Sequence, residues 1–305
     1  MIIKIHDIQI EGSPFELPVI SSIDYESLEK PIAQLSEQNL KSSDPKFNGF
    51  NKPYGLTFDS MDRLIVSDTG NNRILILDLV SEKLIRTFGK KGSEEGEFDS
   101  PFSVTTSPFD DIIVADTDNH RVQVFDKTGN FLFSFGKKGK KDGEFQNPID
   151  ITYDYIAKRI LVSDFGNNRV QVFDSRGRFI FKFGAQGTEN GNFQFPVSVR
   201  VDQTDRTIFV SDHVNSCIQV FNPNGGFIRK FGVGNLSNPR QIAIDRNGHI
   251  LVTDWGTHTI QIFKRSGELI TNIGFGHVSS PSGLAIDTLG KIAVSDVDKN
   301  IVLLF

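Results

Sequence analysis

Short apolar runs separated by polar turns fill most of this chain. The stretch after Pro101 is representative. It contains four runs that are rich in β-branched and aromatic residues, with aspartate, asparagine or glycine between them: Phe102–Thr106, Ile112–Ala115, Arg121–Phe125 and Phe131–Phe135. Runs of this length are typical of β-strands, and no helical period of 3.6 residues is sustained. The stretch therefore predicts an antiparallel sheet of four strands.

This four-strand unit occurs six times. An aspartate follows the second apolar run of every copy, at Asp68, Asp116, Asp164, Asp212, Asp254 and Asp296. A proline lies 15 or 16 residues before each aspartate, at Pro53, Pro101, Pro148, Pro196, Pro239 and Pro281. The aspartates are 48 residues apart in the first copies and 42 in the last, a period typical of closed or stacked repeats. Four strands in each of six copies predict an all-β, six-bladed β-propeller.

The two ends of the repeat region predict how the ring closes. The sixth copy stops at its third apolar run, Ile301–Phe305, so it lacks a fourth strand. Upstream of the first copy, Pro31–Leu35 aligns with Leu84–Phe88, the fourth run of that copy. We expect residues 31–35 to complete the last blade, which would leave no open sheet edge. The propeller is then predicted to comprise residues 31–305.

Composition narrows the classes of function. Lys and Arg number 33 against 38 Asp and Glu, and the resulting charge of −5 comes mostly from the first fifty residues. A nearly neutral propeller predicts no extended field for DNA or a membrane surface. The single cysteine, Cys217, excludes internal disulfides and a cysteine-built zinc cluster. With no secretory leader and no membrane-length apolar run, we expect a cytoplasmic location.

Three loop sequences carry a family resemblance. Asp68-Thr-Gly-Asn-Asn-Arg-Ile74, Asp116-Thr-Asp-Asn-His-Arg-Val122 and Asp164-Phe-Gly-Asn-Asn-Arg-Val170 resemble the core of the NHL repeat. The Phe-Gly-x-x-Gly-x-x-x-Gly-x-Phe pattern at Phe135–Phe145 is similar to its flanking sequence. The resemblance covers about residues 47–305 and implies a propeller of the NHL type.

The N-terminus carries a second, shorter resemblance. Ile3–Val19, which contains Gly-Ser-Pro-Phe, resembles the closing strands of a filamin-type immunoglobulin repeat. We expect residues 1–20 to be a remnant of such a domain and residues 21–30 to be a linker. A filamin repeat before an NHL propeller is the arrangement of the tripartite-motif ubiquitin ligases. The resemblance implies a non-catalytic recognition module that binds a protein partner on its loop rim, without a cofactor.

Several residues are candidates for that binding rim. Residues that follow the repeat prolines, or that follow the aspartates, are expected near the channel mouth, and a lysine cluster lies on one long loop. The candidates are Tyr54, Phe102, Lys137, Lys138, Lys140, Lys141, Phe165, Arg240 and Trp255. In nucleic-acid-binding members of the family, positions after the prolines help to form base pockets. Aromatic rings and cations there make RNA an alternative partner.

The repeated aspartates have a structural interpretation. A carboxylate at the end of a strand accepts backbone N–H groups of the following turn. Arg73, Arg121 and Arg169 each come five residues after their aspartate, and we expect Asp–Arg pairs to brace these loops. Later copies have Cys217 and other uncharged residues at this position. Blades one to three are therefore expected to present more cations than blades four to six.

A third alternative is a metal-dependent lyase or hydrolase. His213, His258 and His277 fall on predicted loops of the later copies, and histidine is a common zinc ligand. Their offsets from the nearest repeat aspartate are unequal, so no regular ligand set is expected. No phosphate loop, nucleophile elbow or paired-carboxylate motif is present, and we expect the chain not to be an enzyme.

Overall fold

The fold is seen in a computed structural model that describes residues 23, 25, 28–36, 40 and 48–305. The described residues form 24 strands in six antiparallel sheets of four. The predicted filamin-like remnant, residues 1–20, lies outside the described part of the chain.

The strands are numbered in chain order. Blade one contains β2 Pro53–Phe58, β3 Leu64–Asp68, β4 Arg73–Asp78 and β5 Lys83–Phe88. Blade two contains β6 Pro101–Thr106, β7 Ile112–Asp116, β8 Arg121–Phe125 and β9 Phe131–Phe135. Blade three contains β10 Pro148–Asp154, β11 Arg159–Asp164, β12 Arg169–Asp174 and β13 Phe179–Phe183.

The second half of the ring repeats this order. Blade four contains β14 Pro196–Val201, β15 Ile208–Asp212, β16 Cys217–Phe221 and β17 Phe227–Phe231. Blade five contains β18 Pro239–Ile244, β19 Ile250–Asp254, β20 Thr259–Phe263 and β21 Leu269–Ile273. Blade six contains β22 Pro281–Ile286, β23 Ile292–Asp296, β24 Ile301–Leu304 and β1 Ala33–Leu35. Two short 3-10 turns, Thr69–Asn71 and Phe165–Asn167, follow the aspartates of blades one and three.

The ring closes in blade six. Strand β1 pairs antiparallel with β24, so that Gln34 faces Leu303 and Leu35 faces Val302. Each inner strand (β2, β6, β10, β14, β18 and β22) contacts the next, and β22 contacts β2. The predicted fold class, a six-bladed propeller closed by an N-terminal strand, is confirmed.

Apolar contacts between neighbouring blades form the core. Between blades two and three, Val122, Phe145, Ile160 and Phe173 pack in one cluster, and equivalent clusters lie around the ring. Phe145 belongs to the repeated Phe-Gly motif, and Gly136 lies beneath its ring with a φ of +89°. A Cβ atom on Gly136 would lie 2.4 Å from that ring, so the motif needs glycine for both conformation and space.

One residue of the predicted linker is buried against the propeller. The Tyr25 hydroxyl donates a 2.6 Å hydrogen bond to Asp245, and its ring meets His249 edge to face. The N-terminal segment therefore contacts blade five before it enters blade six. In the described part of the chain, no helix has the length and apolar content to cross a bilayer.

Candidate functional site

The six inner strands surround a channel with two wide ends. We call the end where these strands begin, at the repeat prolines, the upper mouth. It opens into a cavity of about 640 Å³ that is lined by Tyr54, Phe102, Ile149, Phe165 and Arg240 among others. Four of the predicted rim residues therefore lie around one cavity. The residues after the prolines converge there because the second residue of each inner strand lines the channel.

Two aromatic pairs border the upper mouth. The Tyr54 and Phe102 rings, from blades one and two, lie 4.3 Å apart between centroids with a 33° tilt. Phe165 pairs with Phe195 at 4.9 Å. Phe195 was not predicted as a rim residue, although it is 40% exposed and has a φ of +62°. The equivalent residues before the prolines of blades one to three, Lys52, Ser100 and Asn147, also have a positive φ, so this conformation belongs to the repeat.

Arg240 and Trp255 form the most unusual contact of the upper mouth. The guanidinium lies over the indole ring, 4.2 Å from its centroid, which is a cation–π geometry. The Trp255 Nε1–H donates to Ser280 Oγ at 2.9 Å, and the Ser280 hydroxyl donates to Asp298. This chain of contacts fixes the indole plane beneath the cation.

The Arg240 side chain lacks a described counterion. Its Nε atom is buried and has no hydrogen-bond partner, and no described carboxylate forms a salt bridge with it. Burial lowers the pKa of Arg240, and the nearby Tyr54 opposes this change. Arginine stays protonated despite such shifts. The upper mouth therefore contains a cation that its described surroundings leave uncompensated.

A residue that sequence analysis missed closes the channel below this cation. Asp150 is buried, and its carboxylate accepts hydrogen bonds from Ser103 Oγ at 2.5 Å, Ser198 Oγ at 2.7 Å and Arg200 Nη1 at 2.6 Å. It also accepts from the Gln241 amide at 3.1 Å. These partners come from blades two, four and five, so one carboxylate links most of the ring. The space around it is about 30 Å³, which is about the volume of one water molecule.

The opposite end of the channel holds a second cavity of about 720 Å³. Most of its charged lining residues form ion pairs, and the exposed Arg246 is the described exception. Arg265 bridges Asp202 and Asp205, and Arg200 turns inward to Asp150. This lower cavity therefore offers less uncompensated charge than the upper mouth.

The lysine cluster lies away from both cavities. Lys137, Lys138, Lys140 and Lys141 are exposed on the loop between β9 and β10, and none lines either cavity. Arg169 holds this loop, donating to the backbone carbonyls of Lys140 at 3.0 Å and Lys141 at 2.8 Å. The cluster is thus a solvent-facing loop in a fixed conformation.

The repeated aspartates lie fully buried at the upper rim. Asp68, Asp116 and Asp164 each pair with the arginine five residues later, at 2.7 to 2.8 Å. The later blades lack this arginine: Asp212 accepts from Asn215 and Asp254 from Gln261, whereas Asp296 accepts from the N–H of Ser279 and lies 3.7 Å from the Lys299 ammonium. Burial raises the pKa of Asp68, Asp116, Asp164 and Asp212, against the lowering effect of these hydrogen bonds.

The histidines form no ligand set. Burial lowers the pKa of His213, the charge of Arg240 lowers it further, and its Nδ1 has no partner. His213 nevertheless lines neither cavity, and His258 contacts the Ser279 carbonyl instead. Among the described residues, no group of three or more His, Cys, Asp or Glu side chains could hold a metal ion.

Comparison with protein-family models agrees with the repeat. A model described as the NHL repeat matches residues 50–77, 98–125 and 236–263. A model described as a 6-bladed beta-propeller matches residues 154–230. This chain is an NHL-repeat propeller. No curated protein matches the sequence of this NHL-repeat propeller, and its predicted likeness to tripartite-motif proteins stays a prediction.

Solved structures similar to this NHL-repeat propeller include lyases. A streptogramin B lyase is 15% identical with a TM-score of 0.62, and the match covers 84% of this chain and 94% of the lyase. Virginiamycin B lyase from Staphylococcus aureus is 14% identical with a TM-score of 0.62, covering 84% of each chain. A catalytically inactive histidine-to-alanine variant of that lyase, solved with quinupristin, has a TM-score of 0.64 at 14% identity and covers 88% and 83%.

These neighbours correct one prediction. We expected a non-catalytic module that binds a protein partner on the loop rim, and this expectation is wrong, because the neighbouring propellers are enzymes. We based that expectation on the family resemblance and on the lack of linear catalytic motifs. A propeller, however, assembles its channel mouth from six separate strands, so the chemistry of that mouth leaves no linear motif. At this low identity the likeness itself extends to the fold alone.

Proposed function

We propose that this propeller acts on a small molecule bound at its upper mouth, as an enzyme of the lyase or hydrolase class. The observation that carries the proposal is the Arg240 guanidinium, held on Trp255 without a described counterion. A cation in this position stabilises negative charge on a bound molecule, or charge that develops on oxygen while a bond breaks. The lyases among the structural neighbours support this class.

The dimensions and lining of the upper mouth suit a small ligand. Its volume of about 640 Å³ lies within the range of roughly 300–1,000 Å³ that is common for small-molecule sites. Tyr54, Phe102, Ile149 and Phe165 form the apolar part of a wall that is otherwise mostly polar. Arg240 is a convergent polar group. Below the upper mouth the channel narrows to about 30 Å³ of free space, which is room for about one water molecule. A bound ligand therefore stays in the upper mouth.

Tyr54 is a hydrogen-bond donor at the upper mouth. Burial raises the pKa of its hydroxyl, against the charge of Arg240, and Asp298 adds to the rise. The phenol therefore stays protonated near neutral pH and can donate a hydrogen bond to an oxygen of a bound molecule.

The metal-dependent version of this function lacks a suitable donor set. No described group of side chains provides three metal ligands, and His213 lines neither cavity. We assign His213 no chemical step. In our proposal Arg240 supplies the positive charge that a metal ion would otherwise supply.

A screen for turnover tests the proposal. The intact chain is incubated with a panel of small esters, lactones and phosphate esters, and products are identified by mass spectrometry. Hydrolysis adds the mass of one water, whereas elimination leaves the summed mass unchanged. For a substrate so found, R240M should lower kcat/KM by about 10²–10³, and R176M, at an exposed turn of blade three, should not. Equal rates for wild type and R240M, or a panel that binds without turnover, would contradict the proposal.

A further inference from the structure

We infer that the upper mouth recognises a ring-bearing anion, that is, a small aryl carboxylate or aryl phosphate. This inference rests on the proposed function and specifies its substrate class. The observation behind it is the resting state of Arg240. The guanidinium is held in place, with its Nε buried and unpaired, before any reaction starts. If Arg240 only stabilised negative charge that forms during a reaction, its own positive charge would have no partner between reactions. A bound anionic ligand provides that partner.

The balance of charge around the cavity also favours an anion. Three cations, Lys52, Lys91 and Arg240, line the cavity with two acids, Asp99 and Asp118. Lys91 lies 3.7 Å from Asp99, so these two charges largely cancel. Asp118 accepts a hydrogen bond from Asn147 at 3.0 Å. Lys52 is exposed, and no described carboxylate pairs with it. The lining therefore has a net charge of about +1. Of the two unpaired cations, Lys52 and Arg240, Arg240 lies deeper.

The aromatic lining defines the second part of the ligand. Tyr54 and Phe102 form one half-buried surface, with centroids 4.3 Å apart, and they line the same cavity as Arg240. Ile149 lines this cavity too, and it adds no polar group. A flat, apolar group on the ligand stacks favourably on such a surface. An anion attached directly to a ring reaches the guanidinium and the aromatic pair together.

Trp255 makes the arginine a preorganised recognition group. The indole covers one face of the guanidinium, and the hydrogen bonds through Ser280 to Asp298 hold the indole itself. The Nε of Arg240 is buried, and no described hydrogen bond or ion pair uses its two terminal nitrogens, so these are the groups left for a ligand. Two guanidinium nitrogens match a carboxylate or phosphate in a bidentate geometry. Lysine lacks both the plane and the fork, so it would not reproduce this arrangement.

Binding of defined probes to the intact chain tests the inference. The probes are benzoate, phenyl phosphate, benzamide, which keeps the ring without the charge, and cyclohexanecarboxylate, which keeps the charge without the planar ring. Affinities are measured by isothermal titration calorimetry. Trp255 is the single tryptophan of the sequence, so its fluorescence reports directly on the site.

At least one aryl anion should bind and change the Trp255 fluorescence. Benzamide should bind about tenfold more weakly or worse, because it has no negative charge and only one acceptor oxygen for the guanidinium. Cyclohexanecarboxylate should also bind more weakly than benzoate. R240M should remove the preference of benzoate over benzamide, and R240K should restore only part of it. The control R176M should keep the wild-type preference. The comparison of benzoate with benzamide on the wild-type chain tests the preference for an anion even if R240M does not fold.

Other results overturn the inference. Equal affinity for benzoate and benzamide, or an unchanged preference in R240M, removes the role of the charge. If the chain turns over a neutral substrate and this turnover depends on Arg240, the enzymatic function holds but the preference for an aryl anion does not. Failure of both aryl anions to bind at millimolar concentration, with retention of a single-stranded RNA oligonucleotide that weakens steeply with salt, would replace both proposals with RNA recognition.

Discussion

Gln34 faces Leu303 in the antiparallel register of blade six, although the two residues lie near opposite ends of the described chain. This pairing joins the first strand to the last and completes the sixth sheet. Beside it, Leu35 is buried in a cluster that contains Val302 and Leu304, whereas Ile32 is 69% exposed. Closure therefore depends on one short strand with a single buried apolar side chain.

The first prediction concerns this closing strand. L35A should lower the free energy of unfolding by about 2–4 kcal/mol, because it removes a buried leucine from a cluster shared by two ends of the chain. I32A, three residues earlier, should change it by less than about 0.5 kcal/mol. Urea unfolding monitored by circular dichroism measures both. Equal effects of the two substitutions would show that the strand does not hold the ring closed.

The second prediction concerns the carboxylate on the channel axis. D150A should destabilise the protein by about 3–5 kcal/mol, because Arg200 would lose the partner of a largely buried ion pair. Ser103, Ser198 and Gln241 would lose an acceptor as well. The control E268A breaks an exposed pair with Lys264 and should cost less than about 1 kcal/mol. Denaturant midpoints at equal slope give the comparison, and similar values for both variants would contradict it.

The third prediction concerns the lysine-rich loop. R169A should accelerate tryptic cleavage after Lys140 and Lys141 severalfold, because Arg169 donates to both of their carbonyls and the loop opens locally without it. R178A is a matched control, since it also removes one trypsin site and breaks only an exposed pair with Asp174. Mass spectrometry of brief digests locates the cuts. Unchanged cleavage in R169A would mean that other contacts hold the loop.

The fourth prediction concerns pH. The folded-state pKa of His213 is lowered from 6.5, chiefly by burial and also by Arg240. Below pH 6.5 the unfolded chain therefore binds a proton more readily than the folded chain. This contribution to stability is complete above pH 6.5 and is lost as the pH falls toward the folded pKa.

H213Q removes that titrating group and should flatten the loss of stability between about pH 7.5 and about pH 5.5. Burial lowers the pKa of His120 as well, so part of the acid loss will remain. H277Q, on a turn of the rim, serves as the control for replacing a histidine with glutamine. Thermal unfolding at a series of pH values measures the difference. A parallel slope in H213Q and wild type would contradict the assignment.

Most of the fold was predictable from sequence because its determinants are local and repeated. Apolar runs, turn residues and the steps between aspartates recur six times, and each copy confirms the others. One pair at the site was predictable in principle. In each meander the proline faces the aspartate, as Pro239 faces Asp254, so the residues that follow them, Arg240 and Trp255, lie at the same end of the blade.

Asp150 was not found because its importance depends on convergence. The equivalent residues of the other blades are Gly55, Ser103, Ser198, Gln241 and Gly283. Only the closed ring brings several of these polar side chains within hydrogen-bond distance of one carboxylate. A signal was available, since this position has an acidic residue in one copy alone. The same holds for Phe195, an aromatic residue at a position where other copies have Lys52, Ser100 or Asn147.

The Asp150 network has a consequence for molecular traffic. Because hydrogen-bonded side chains fill the axis, the propeller has two blind vestibules in place of a continuous pore. A compound that enters past Tyr54 must leave through the same mouth, so substrate entry and product release compete for one opening. A compound lodged beside Arg265 at the far end would leave that exchange unobstructed.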